Sequence, residues 1–175
     1  MASNPIQEFL ASIPRRVDRG IYSVIDEAGE MAGIDRSAQK DIQNVAAEFI
    51  NRNVDAGLID ERERIDSEGR SGDLFNAINH GLLAYRYGDS PIIRGMLQGK
   101  EYLQQGQEYL SGRDPRTQYI DRMNNLVGYD LVGLSEEEAL QEMLNRIADT
   151  KKTMRAGGVD ALIPGKHFYL NPQDY

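Results

Sequence analysis

Residues 119–129 read Y-I-D-R-M-N-N-L-V-G-Y, and the pattern within them governs how the rest of the chain is interpreted. At helical spacing Ile120, Met123 and Val127 share a face, the apolar stripe of a helix packed on a core. Beside it runs a second stripe, Asp121, Asn124, Asn125 and Gly128, at i, i+3, i+4 and i+7. A solvated helix face favours Glu, Lys, Gln and Arg, whose helix propensity exceeds that of Asp, Asn or Gly. Short acids and amides ending in a glycine point instead to a face pressed on a neighbour. There the side chains hydrogen-bond at short range and the glycine admits another backbone.

Size and charge narrow the setting. A chain of 175 residues is most simply one domain with room for a real core. Its formal net charge of -8 repels phosphate backbones, so general nucleic-acid binding is not expected. Arg15, Arg16 and Arg19 are the best candidates for a local basic patch, but beside Glu8 and Asp18 they read as a solvated face. The absence of cysteine removes disulfides, thiolate nucleophiles and cysteine-based metal sites. With only His80 and His167, a multi-histidine zinc site would need an unusual ligand set. The N-terminal stretch lacks a basic region followed by a long apolar one, so no signal peptide is expected. No run approaches the roughly 20 apolar residues of a membrane span. The expected address is the cytoplasm, or a particle assembled there.

In chain order, Ser3 or Asn4 caps a first helix with Pro5 behind it, and Ile6, Phe9, Leu10 and Ile13 share a face before Pro14. The apolar pattern resumes through Val17, Ile21, Val24, Ile25 and Ala28 and stops near Gly33. This reads as a kinked core-facing helix, with a docking arm for a partner as the alternative. A second helix over residues 35–55 turns Ile42, Val45, Ala46, Phe49 and Ile50 inward, with Gly57 as its stop signal. Residues 58–72 are charged and aperiodic and read as a loop or a frayed short helix. The third helix, residues 72–88, carries Leu74, Ala77, Ile78, Leu82 and Tyr85 as its core stripe, with Asn76 and His80 on an adjoining face. Pro91 restarts the chain as a fourth helix to about Ser111, where Gly95 and Gly99 form a G-x-x-x-G pair that predicts close helix approach. The fifth helix holds the 119–129 stretch. Ser135 and Glu138 make a capping box for a sixth, which Gly157-Gly158 closes. The remainder lacks helical period, and Pro164-Gly165 reads as a turn between short extended pieces or a hairpin. The expected architecture is therefore all-α. Residues 1–158 form a compact bundle of about six helices, and 159–175 form an extended or hairpin C-terminal tail.

Three blocks in residues 70–131 resemble a helical domain family of bacteria and tailed phages, whose pattern runs D-A-x-x-H-A-x-W-N-A-L, then H-E, then D-x-x-N-N-x-x-G-R. Asp121, Asn124, Asn125 and Gly128 stand at the spacing of the last block, with Tyr129 in place of its arginine. Glu101 matches the glutamate of the middle block, with Lys100 where a histidine is usual. In the first block Asn76 falls on the histidine position and His80 on the asparagine position, an exchange one helical turn apart. The resemblance implies a helical core and a phage setting; it implies no reaction.

If three helices bring Asn76, His80, Glu101, Asp121, Asn124, Asn125 and Gly128 together, the simplest reading is a buried polar network that fixes helix register. A hydrolytic or toxin-like site would use His80 as general base, Glu101 or Asp121 to orient it, and an asparagine amide on an oxyanion. The same histidine and carboxylates are acceptable metal ligands, but their spacing carries no metal signature, and no metal or cofactor is expected. His167 reads as a surface or packing residue. Aromatic residues toward both ends, Phe9 and then Phe168, Tyr169 and Tyr175, suit docking on other protein subunits. The favoured expectation is a non-enzymatic virion component, in the tail, connector or internal set, whose partners are other subunits of the assembly.

Overall fold

The computed structural model describes residue 30 and residues 33–66, 73–110 and 116–170. They form five α-helices and two 3-10 turns, with no strand among the described residues. The first helix, expected from Pro5 to near Gly33, lies outside the described residues except for residues 30 and 33, and Phe9 and Tyr175 lie outside them as well.

Helix α1 (Arg36–Asp55) begins where the Asp35 carboxylate accepts from the Ala38 amide at 2.8 Å, and it buries Ile42, Ala46, Phe49, Ile50 and Val54. Gly57, at φ 72°, turns the chain out of it. A 3-10 turn, Glu61–Glu63, follows. Glu63 is buried, and its carboxylate accepts from the Leu74 amide at 3.3 Å. That bond occupies one of the four unsatisfied donors at the start of α2 (Asp73–Tyr87). Helix α2 is the centre of the fold, contributing Leu74, Ala77, Ile78, Leu82 and Ala84 to the interior. Ser90 and Pro91 start α3 (Pro91–Leu110), and α4 (Arg116–Asp130) lies most closely on α2. Helix α5 (Glu136–Gly157) opens on the Ser135/Glu138 capping box and buries Ala139, Met143, Ile147 and Thr150. Arg86 ties three helices at the rim, bonding Asp41 of α1 at 2.5 Å and Glu136 of α5 at 2.8 Å.

The α2–α4 crossing is set by glycines. A Cβ placed on Gly128 would overlap the Gly81 carbonyl oxygen and lie 2.8 Å from both Ala84 Cβ and the Tyr85 nitrogen. Only hydrogen fits there. Gly95 and Gly99 behave differently from their expectation: a Cβ on either meets nothing within 4 Å. The reason is rotational. Helix α3 turns its polar stripe toward α4, and the two glycines face outward.

Residues 159–170 keep the expected turn at Pro164-Gly165 but otherwise depart from expectation. After a 3-10 turn, Val159–Ala161, the chain runs irregularly back into the core, where Phe168 and Leu170 join Ile78, Leu82, Val127 and Met143 in one apolar cluster. This stretch completes the helical unit and is neither a hairpin nor a separate tail. Phe168 and Tyr169, expected at a partner interface, are buried in the chain's own interior.

Candidate functional site

His80 projects from α2 toward α4, and its Nε2 lies 3.4 Å from Asp121 Oδ1. Asn125, one turn on from Asp121 and fully buried, sits beside the imidazole close enough to favour the cation. It is not aligned as a bond: neither of its amide atoms, nor His80 Nδ1, has a hydrogen-bond partner among the described residues. Burial nevertheless dominates the imidazole and pushes its pKa below the ordinary value of 6.5. The Lys100 cation adds to that, while Asp121 and Asn125 oppose it. The side chain is therefore neutral at pH 7. In the unfolded chain it takes up a proton more readily. Stability contributed here is complete above about pH 6.5 and declines as pH falls below it, by no more than about 1.4 kcal/mol per pH unit for one proton. Urea denaturation of wild type and His80→Gln between about pH 7.5 and pH 5 tests this, the variant being expected to show the shallower loss.

The remaining expected site residues divide among three places. Asn76 is exposed and takes no part in the interior. It lines a recess shared with Asp121 and Asn124 of α4. Glu101 is buried on α3 near Tyr129, whose pKa is raised to about 12 mainly by burial; Gln98 and Arg94 oppose that rise, and Glu101 adds a smaller push upward. Asn124 turns away from His80 altogether. Its Oδ1 accepts from the Tyr169 amide at 2.7 Å and its Nδ2 donates to the Tyr169 carbonyl at 3.0 Å. The tail is held further by Thr150 Oγ1, which accepts from the Phe168 amide at 3.0 Å. His167, expected as a surface or packing residue, is buried. Its Nδ1 accepts from the Ile163 amide at 2.8 Å and its Nε2 lies 3.1 Å from Asp149 Oδ2.

A feature outside the expected set is the polar seam between α3 and α4. Arg94, Gln98, Glu101 and Gln105 recur at i, i+4, i+7 and i+11 on α3 and meet Arg122 and Tyr129 of α4. Arg122 donates to Gln105 at 3.4 Å, and its guanidinium lies 3.9 Å from the Tyr102 ring centroid and 5.3 Å from that of Tyr119. Arg94 bonds the Gly88 carbonyl and lies 5.2 Å from the Tyr129 ring centroid. The spacing of the four α3 residues was the available signal. It was overshadowed by the glycine pair on the same helix.

Two depressions flank the His80–Asp121 pair. His80 is on the edge of a cleft of about 340 Å³ whose walls include Ile34, Ile42, Leu83, Ile93, Met96 and Leu97. Asp121 faces a recess of about 80 Å³ with Asp73, Asn76, Asn124 and Tyr169. No described residue lining the larger cleft carries a hydroxyl or a thiol. His80, Glu101 and Asp121 do not converge as ligands: no group of three or more His, Asp or Glu among the described residues could hold a metal ion. No helix among the described residues is long and apolar enough to cross a membrane. No protein-family model, curated protein or solved structure matches the chain.

Proposed function

We propose that the chain is a non-enzymatic interaction protein, a virion-associated component of a tailed phage, and that α3 is the helix by which it meets other subunits. The observation that supports this is the make-up of α3. None of its described side chains enters either apolar core cluster, yet Ile92, Tyr102 and Tyr109 stand 42%, 60% and 75% exposed. With Gly95, Gly99 and Gly106 these residues follow a 3-4-3-4-3 spacing along one face, and all three glycines open on free space. At 3.6 residues per turn this outer stripe, the polar seam and the cleft-facing residues Ile93, Met96, Leu97 and Lys100 lie about 120° apart. The helix is fixed by hydrogen-bonding groups on one side and leaves apolar and small residues for another surface. Large aromatics beside small residues are what a packed protein interface uses. The phage setting comes from the motif resemblance of residues 70–131.

The test is incorporation. In purified phage particles the protein should be present at fixed copy number. Gly106→Arg combined with Tyr109→Asp should keep the melting temperature and lower incorporation by at least about tenfold. Absence from particles sinks the virion assignment, and undiminished incorporation of the variant sinks the role of α3.

The alternative is a small hydrolase or toxin-like enzyme working through His80, with Glu101 and Asp121 as supporting acids. What favours it is a neutral, carboxylate-paired imidazole at the rim of a cleft, the protonation state a general base requires. It ranks second because no described residue lining the cleft carries a hydroxyl or a thiol to serve as nucleophile. Its signature would be a hydrolytic activity that His80→Gln abolishes without unfolding the protein.

A further inference from the structure

The outer face of α3 is built like half of a two-helix seam. Ile92, Gly95, Gly99, Tyr102, Gly106 and Tyr109 alternate three and four residues apart, the spacing at which two helices keep one face against each other along their length. No contact within the described chain accounts for the glycines. A Cβ on any of the three meets nothing within 4 Å, although each lowers helix propensity where alanine would not. The large residues between them are uncovered too, Tyr102 and Tyr109 being 60% and 75% exposed. Tyr102 is nevertheless held in place. One face of its ring lies on the Arg122 guanidinium, 3.9 Å from the centroid, and Arg122 also donates to Gln105, so the other face is presented already ordered.

The order of large and small residues complements itself. Turned end for end about the point between Lys100 and Glu101, the stripe sets Tyr102 opposite Gly99, Gly99 opposite Tyr102, Tyr109 opposite Ile92, and Gly95 opposite Gly106. Each central ring then meets a position with no side chain, and the backbones come closest at the glycine pairs. Such reciprocal matching is what a two-fold interface between identical chains requires. A parallel pair would set tyrosine on tyrosine and glycine on glycine, leaving gaps beside crowded layers. Charge points the same way. The chain carries a net charge of -8, so two copies repel over most of their surfaces. None of the six stripe residues is charged, and α3 as a whole holds Arg94 and Lys100 against Glu101 and Glu108, a balance of zero.

We propose that α3 binds α3 of a second copy of this chain, antiparallel and about a two-fold axis, with Tyr102 of each copy seated on Gly99 of the other. This pairing rests on the role of α3 as a contact helix proposed above and names its partner. One helix per copy makes an interface at the small end of the range for specific complexes, so a dissociation constant on the order of micromolar is expected.

The full-length chain holds no cysteine, which makes the register directly testable. Gly95→Cys and Gly106→Cys are made singly, both at exposed positions with open space, and each is oxidised mildly alone and in mixture with the other. In the proposed pair residue 95 faces residue 106 of the other copy. Two residues 95 lie about 16 Å apart along the seam, beyond the roughly 7 Å that a disulfide spans between Cα atoms. The mixture should therefore give a disulfide-linked dimer on a non-reducing gel, and neither variant alone should. Cross-linking of either variant with itself would mean a parallel pair and overturn the proposal. Sedimentation of the wild-type chain from about 1 to about 200 μM gives an independent measurement. It should show a reversible monomer–dimer equilibrium that Gly99→Arg weakens at least about tenfold without lowering the melting temperature. A dimer that Gly99→Arg leaves unchanged would place the contact elsewhere and overturn the pairing. A monomer at every concentration would overturn it as well, while loss of particle incorporation in the Gly106→Arg/Tyr109→Asp variant would still uphold α3 as a contact for a different subunit. A dimer in a chain absent from particles would support the pairing and sink only the virion assignment.

Discussion

Gly128→Val is expected to destabilise the protein by at least about 3 kcal/mol and to leave little folded chain at 37 °C. The Cβ at this position meets backbone, the carbonyl of Gly81, and not the movable end of a side chain. Relief requires α2 and α4 to separate, and these two helices share the largest interface in the fold. Separation would open contacts around Val127, Leu82 and Ile78, all fully buried. Gly95→Ala is the matched control. It adds the same kind of atom to a helix glycine with open space around it, and should stabilise by up to about 1 kcal/mol through helix propensity. Urea denaturation of the two variants decides the matter. A Gly128→Val protein with wild-type midpoint would mean that the crossing is not as close as described.

Asn124→Leu is expected to cost about 2–4 kcal/mol. Leucine is close in size, so little cavity is left, but the Tyr169 amide and carbonyl would both remain buried without their partners. Loss of that clamp frees the segment that carries Phe168 and Leu170 into the core. Asn124→Asp, which keeps an acceptor for the amide and gives up the donor to the carbonyl, should fall between wild type and the leucine variant. The accompanying sign is local: protease cleavage within residues 159–167 should accelerate more than cleavage elsewhere. Uniform acceleration would mean that Asn124 supports the fold as a whole and does not hold this segment in particular.

The boundaries of α1, α2, α3 and α5 were legible because their signals are local. Asp35, Pro91, the Ser135/Glu138 box and Gly157-Gly158 each act within one turn of the backbone they start or stop. The stripe of Asp121, Asn124, Asn125 and Gly128 was legible as a face against a neighbour, and Gly128 marks the crossing. The partition of that stripe was not. Asn124 and Asn125 are adjacent in sequence, but about 100° apart around the helix, so one meets Tyr169 and the other His80. Spacing alone does not tell which neighbour each will find. The G-x-x-x-G pair failed for a related reason: it records two small residues on one face without saying whether that face looks inward. Residues 159–170 carry no period, and their burial depends on Thr150 and Asn124, 18 and 45 residues away from the groups they bind. Information of that kind resides in the assembled core.

The place of Phe168 has a consequence for biosynthesis. A ring that fills the space beside Gly81 and Met143 arrives only after the five described helices have been translated. Until residues 168–170 have emerged from the ribosome, the nascent bundle carries an unfilled hollow between α2 and α5. Folding in the cell should therefore finish late, in a single step coupled to the seating of that ring, and chains stalled before it should be preferred substrates for chaperones and proteases.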